Sequence, residues 1–223
     1  MRLLFLPGLA ADGDLFAEQL RALGPSFPGS KVLPWIKPNR GERLEAYCER
    51  LAATIDAGRP FAFVGFSFGG MVAQEMAKHL RPRPRAIALV CGVRGRHQFT
   101  GEFARNELLG RLTPGFAQRL AYRPFAKQFA KRCGLDEQQA RRLGDMAARN
   151  DPAFFKWSGK ACAKWCAEPS VPPEVRVRHI HGELDDVIPD VRSEADVTIV
   201  GGHHLITWTH AAEVSAFIRE TVA

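Results

Sequence analysis

Residues 63–70 read Phe-Val-Gly-Phe-Ser-Phe-Gly-Gly, which places Ser67 at the centre of a Gly-x-Ser-x-Gly pentapeptide. A serine hydroxyl ionises far above neutral pH, so it becomes a nucleophile only when a neighbouring base takes its proton. A sharp strand-to-helix turn holds such a serine out of the sheet with its hydroxyl exposed. Glycines on either side, lacking Cβ, let the backbone turn tightly and neighbouring elements come close. Two later clusters contain the partner chemistry. His181-Gly182-Glu183-Leu184-Asp185-Asp186 carries carboxylates, and Gly201-Gly202-His203-His204 carries imidazoles. An imidazole can take the serine proton and pass it to a leaving group, while a carboxylate holds the ring's tautomer and stabilises the imidazolium. At this level Asp185 and Asp186 are alternatives, and so are His203 and His204.

The elements around these residues decide whether the chemistry can be assembled. Pro60-Phe61-Ala62-Phe63-Val64 is a short apolar run of the kind buried on both faces of a parallel sheet. Met71 to Leu80 then follows with helical spacing, so Ser67 falls at a strand-to-helix junction. Similar apolar runs occupy Leu3–Leu6, Lys31–Trp35, Ala86–Val90, Glu174–Ile180 and Val197–Val200. Helical patterns cover Phe16–Leu23, Glu42–Ala57 and Ala211–Val222. Between about 95 and 173 the alternation stops and helical patterning takes over, at Phe103–Leu112, Gly115–Cys133, Asp136–Arg149 and Pro152–Cys166. The expected architecture is one α/β domain over residues 1–223, a parallel sheet flanked by helices with a helical cap inserted at about 95–173. Both the carboxylate and the imidazole cluster follow late strands, at the sheet edge where such folds do their chemistry.

On these residues the chain resembles the α/β-hydrolase superfamily over most of its length outside the cap, as a small serine hydrolase. The resemblance implies Ser67 as nucleophile. Gly182-x-x-Asp185-x-x-x-Pro189 matches the family's acid loop and implies Asp185 rather than Asp186. Gly201-Gly202-His203-His204, aligned on the family's Gly-x-Gly-His ending, implies His204 as base; thioesterase-like members would select His203. The oxyanion hole implied is two backbone N–H groups, of Phe68 after the nucleophile and of Leu9 in Pro7-Gly8-Leu9, where relatives commonly carry His-Gly. Relatives often begin with two extra antiparallel strands; this chain starts at the strand bearing the oxyanion loop, so the sheet is expected to have about six strands. Neither cofactor nor metal is implied.

The triad chemistry implies acyl transfer, with a small or medium carboxylic ester as the favoured substrate. A thioesterase acting on acyl-CoA or an acyl carrier is the nearest rival, and a non-catalytic binding or receptor protein on the same fold is the reading from another class. Perhydrolases and C–C bond hydrolases share the triad; dehalogenases place Asp where this chain has Ser67. Apolar content of 46 % and 15 Phe exclude disorder as the main state. The net charge of +7 is uneven: Arg94–Arg178 holds 17 Lys and Arg against 8 Asp and Glu, while the remainder is net negative. That balance reads as solvated helix faces or as attraction for an anionic substrate or acidic carrier. No nucleic-acid motif is visible and no apolar stretch reaches membrane-spanning length. The N-terminal apolar run is broken by Pro7-Gly8, and the five cysteines are odd in number and scattered, so a cytoplasmic protein with unpaired thiols is expected. Phe99, Phe103, Phe116, Phe125, Phe129, Phe154, Phe155, Trp157 and Trp165 are the aromatic candidates for packing or lining under the cap.

Overall fold

Three strands, Arg2–Leu6 (β1), Phe61–Phe66 (β3) and Ala86–Val90 (β4), are buried at every residue. The computed structural model describes residues 1–95, 98, 124, 126–167, 170–189 and 194–223. With Lys31–Val32 (β2), Arg176–Gly182 (β5) and Val197–Ile199 (β6) they form a six-stranded sheet in the order β2-β1-β3-β4-β5-β6. Every pairing is parallel. Burial on both faces explains the near-continuous apolar strands. The side-chain period of two sorts them: Leu3, Phe5, Val64 and Val90 join one core, Leu4, Leu6, Phe63 and Leu89 the other.

Helices cover both faces. Ala17–Leu23 (α1) and the terminal helix lie on one; Leu44–Ala52 (α2) and Phe68–His79 (α3) lie on the other. Between β4 and β5 the described residues contain helical turns over 126–132, then Glu137–Ala148 (α4) and Pro152–Lys164 (α5). Ile206–Thr209 (α6) and Ala211–Val222 (α7) close the chain. The α4 helix begins at a capping box in which Asp136 accepts from Gln139 N–H and the Gln139 side chain reaches back. The helical patterns expected over 103–112 and most of 115–133, with Phe99, Phe103, Phe116 and Phe125, lie outside the described residues.

Element boundaries moved for local reasons. The strand expected over Lys31–Trp35 pairs only at Lys31–Val32, followed by one more bond from Leu33 N–H to Phe5 O at 2.9 Å. Pro34 has no N–H to continue the ladder. The helix expected over Glu42–Ala57 is regular only from Leu44 to Ala52, then tightens into i→i+3 turns at Thr54 and Ile55. Conversely α3 starts three residues early, because Gly69 and Gly70 form its first turn.

The α5 helix is tied to the sheet's helical layer through polar contacts. Trp165 Nε1–H donates to Glu75 Oε1 at 2.7 Å, and Lys78 Nζ sits 2.7 Å from the same oxygen. Trp157 Nε1–H donates to Glu42 O at 2.8 Å. Trp35, Tyr47, Phe68, Phe154 and Trp157 pack ring against ring between α5 and the α2–α3 layer. Among the described residues no helix is long and apolar enough to cross a membrane. None of the five cysteines forms a disulfide, and only Cys166 is exposed.

Candidate active site

Strand register gathers the candidate residues at one edge. Leu6 pairs with Gly65, Phe66 with Val90, Val90 with Ile180, and Gly182 with Ile199, so the loops after β1, β3, β4, β5 and β6 leave the sheet side by side. These loops carry Leu9, Ser67, Cys91, Asp185 and His204.

Ser67 occupies the turn between β3 and α3 at φ 50°, ψ −118°. A non-glycine residue held in such a region costs about 1–3 kcal/mol and persists only where the surroundings over-determine it. They do so here. Ser67 N–H donates to Val90 O at 3.0 Å, and Gly70 N–H donates to Ser67 O at 2.9 Å. Ser67 is half-buried between neighbours that are fully buried. The flanking glycines are required by contact. A Cβ on Gly69 would sit 2.0 Å from Leu6 O, and one on Gly65 would sit 2.6 Å from Gly69 O. The pentapeptide is therefore the pattern demanded by β1 and α3 approaching β3 backbone to backbone.

The loop after β1 folds against the serine. A Cβ on Gly8 would lie 3.3 Å from Ser67 Cβ and 2.8 Å from the Phe66 ring. Gly8 to Ala11 is a turn closed by Ala11 N–H to Gly8 O at 3.3 Å, with Ala10 at φ 54°. That bond leaves Leu9 N–H outside the turn's own pairing. Phe68 opens α3, where the first N–H groups have no acceptor inside the helix and the dipole favours negative charge.

The structure brings Asp185 and His204 together. His204 Nδ1 stands 2.7 Å from Asp185 Oδ2, with both side chains buried. The carboxylate accepts, so Nδ1 carries the proton and a neutral ring keeps its lone pair on Nε2. The ring packs 4.9 Å from Phe66, the residue before Ser67. His203 does not reach the carboxylate; its Nδ1 lies 3.1 Å from Leu184 O. Asp186, the other acid considered, is paired with Arg132 on the outside. The two loops are locked by Leu184 N–H to Gly202 O at 2.7 Å and Gly201 N–H to Glu183 Oε2 at 2.9 Å. A Cβ on Gly182 would fall 2.4 Å from Gly202 O, so only glycine permits that approach.

Asp185 accepts two backbone N–H groups as well, from Val187 at 2.9 Å and Ile188 at 3.0 Å, both on Oδ1. Burial works to raise this carboxyl, but the His204 charge and the hydrogen bonds from His181 and His204 outweigh it and hold it well below the usual carboxylate range. Two residues that sequence reasoning passed over share this environment. Cys91, at φ 45°, places its thiol with Asp185 and His204 such that their donor atoms lie within 4.8 Å of one another. Burial, with the Asp185 charge beside it, pushes that thiol well above its usual range, so it stays protonated as a weak S–H donor next to the pair. His181 stands 3.2 Å from Asp185 Oδ2. The signal for it was two imidazoles, His179 and His181, spaced for one face of an otherwise buried strand.

A model of the alpha/beta hydrolase family matches residues 3–217. No curated protein matches this sequence. Similar solved structures include a thermophilic esterase from Thermogutta terrifontis, at TM-score 0.77 and 18 % identity over 99 % of this chain and 88 % of that one. An enol-lactonase from Burkholderia xenovorans matches at TM-score 0.75 and 14 % identity, covering 99 % and 90 %. A lipase-esterase related protein from Clostridium acetobutylicum matches at 0.72 and 16 %, covering 99 % and 93 %. At these identities the likeness is one of fold.

Proposed function

This chain belongs to the alpha/beta hydrolase family, and from that premise we propose that it is a serine hydrolase cleaving a carboxylic ester of a small or medium acyl group. The observation that carries the reading is the buried 2.7 Å bond from His204 to Asp185, made at the same sheet edge as the strained Ser67 turn. Ser67 Oγ attacks the ester carbonyl as His204 Nε2 takes its proton, and Asp185 holds the ring and stabilises its charged form. The N–H groups of Leu9 and Phe68 receive the alkoxide, each such donor supporting the transition state by about 3–4 kcal/mol. His204 then returns the proton to the departing alcohol, leaving Ser67 acylated. Water, deprotonated by His204, releases the acid and restores the serine.

Ester is preferred to thioester because, among the described residues, several arginines of the basic segment are engaged within the chain. Arg94 pairs with Asp196, Arg132 with Asp186, and Arg149 with Asp12 and Asp14. Guanidinium groups neutralised in this way attract a CoA phosphate or acidic carrier less. The test is a panel of p-nitrophenyl acetate and butyrate beside the matched acyl-CoA thioesters, with Ser67→Ala as control and a fluorophosphonate probe as a label. Ester turnover that vanishes in S67A supports the reading. Labelling without ester turnover but with thioester turnover transfers it to a thioesterase. The absence of both labelling and turnover overturns it in favour of a binding protein.

A further inference from the structure

Asp185 Oδ2 faces two imidazoles. His204 Nδ1 lies 2.7 Å from it on one side, and His181 Nε2 lies 3.2 Å from it on the other. His181 Nε2 is also 2.6 Å from Ile188 O. A carbonyl only accepts, so that nitrogen carries the proton and shares it between Ile188 O and the carboxylate. Nδ1 of the neutral ring then accepts from His179 Nε2–H at 3.1 Å, which fixes the ring from behind. Both rings are fully buried. Since Asp185 Oδ1 binds Ile188 N–H while His181 binds Ile188 O, the acid loop is gripped through both polar groups of one residue.

We propose that His181 is a positioning residue: it donates to Asp185 Oδ2, orients that carboxylate toward His204, and thereby sets the pH at which His204 can act as a base. The proposal rests on the serine-hydrolase reading above. A second N–H on Oδ2 draws charge away from the His204 bond. Without it the carboxylate favours the imidazolium more strongly, so the neutral base forms only at higher pH. The other ionisable groups around the pair are Cys91 from the end of β4, Cys133, Asp186 with its partner Arg132, and His203 turned to Leu184 O. Behind His179, Asp196 accepts the His179 backbone N–H at 2.6 Å and pairs with Arg94. Of these groups the Cys91 thiol also hydrogen-bonds Asp185, as a weak S–H donor.

The test compares H181Q, whose amide N–H reaches the Nε2 position, with H181N and H181L, which put no donor there. Two readouts are taken: the acid limb of kcat/KM for p-nitrophenyl acetate, and an NMR titration of the His204 ring in the full chain. In H181N and H181L both midpoints are expected to move up by about 0.5–1 pH unit, with kcat reduced about tenfold and KM little changed. In H181Q both stay close to the wild type. Either donor-less variant that folds suffices. Unmoved midpoints in the donor-less variants, or equal shifts in all three, overturn the proposal and leave His181 a packing residue. The NMR arm needs no turnover, so an inactive wild type would overturn the hydrolase reading while still scoring the effect of His181 on His204.

Discussion

The guanidinium of Arg149, at the C-terminal end of α4, stands 2.7 Å from the Asp12 carboxylate in the segment that follows β1. The same guanidinium contacts Asp14, whose backbone oxygen also accepts from Arg142 at 2.8 Å. Asp12 in turn accepts from Asp14 N–H and caps the short helix Gly13–Phe16. A basic residue between β4 and β5 thus holds the acidic stretch just beyond the proposed oxyanion loop.

Arg149→Ala should separate these layers at modest cost. All three side chains are half-exposed, so solvent screening limits the loss to at most about 1 kcal/mol. Urea denaturation at low salt and in 1 M NaCl checks it: the gap from wild type is expected to close at high salt, where screening acts within a few ångströms. A larger loss that salt leaves untouched would mean packing rather than charge.

The two adjacent histidines should differ sharply. His204→Ala is expected to lower kcat on p-nitrophenyl acetate by at least about 1,000-fold, the scale of removing a triad member. His203→Ala, which loses only a contact to Leu184 O, should stay within about threefold. Equal losses in steady-state assays would contradict the assignment of His204.

Glycine substitutions separate contact from conformation. Gly69→Ala drives a methyl group into Leu6 O and should cost about 3 kcal/mol or more, with loss of soluble protein or activity. Gly41→Ala, at φ 74° with nothing within 4 Å of the added carbon, should cost only about 1 kcal/mol. Thermal and chemical denaturation of the two variants side by side gives the comparison.

Asp185 should make stability pH-dependent in a defined direction. Its folded carboxyl titrates below the unfolded one, which lies near about 3.9. The stabilisation is therefore fully present above that value and is lost as pH falls toward the folded one. The difference in unfolding free energy between wild type and Asp185→Asn is expected to shrink as pH falls below about 4. A difference that grows over that acid range would be the wrong sign.

Much of this protein is legible in one dimension, because some physical demands are local. Strands buried on both faces must be apolar throughout, and Phe61–Phe66 and Ala86–Val90 are. The turn at Ser67 needs glycine on either side, and the pentapeptide shows it. Those local demands were enough for the fold class, and the motifs they shape carry the resemblance to the family. What the tertiary structure alone decided depends on approach between residues far apart in the chain. Leu184 N–H on Gly202 O sets the depth at which the last loop docks, and that depth turns His204 rather than His203 onto Asp185. Likewise His181 becomes a partner of Asp185 only because the acid loop folds back over β5, and the arginines beyond β4 find acidic partners only when the layers pack. Ser67 is thus written into its own pentapeptide, while the partners of Asp185 exist only once β5 and β6 lie side by side.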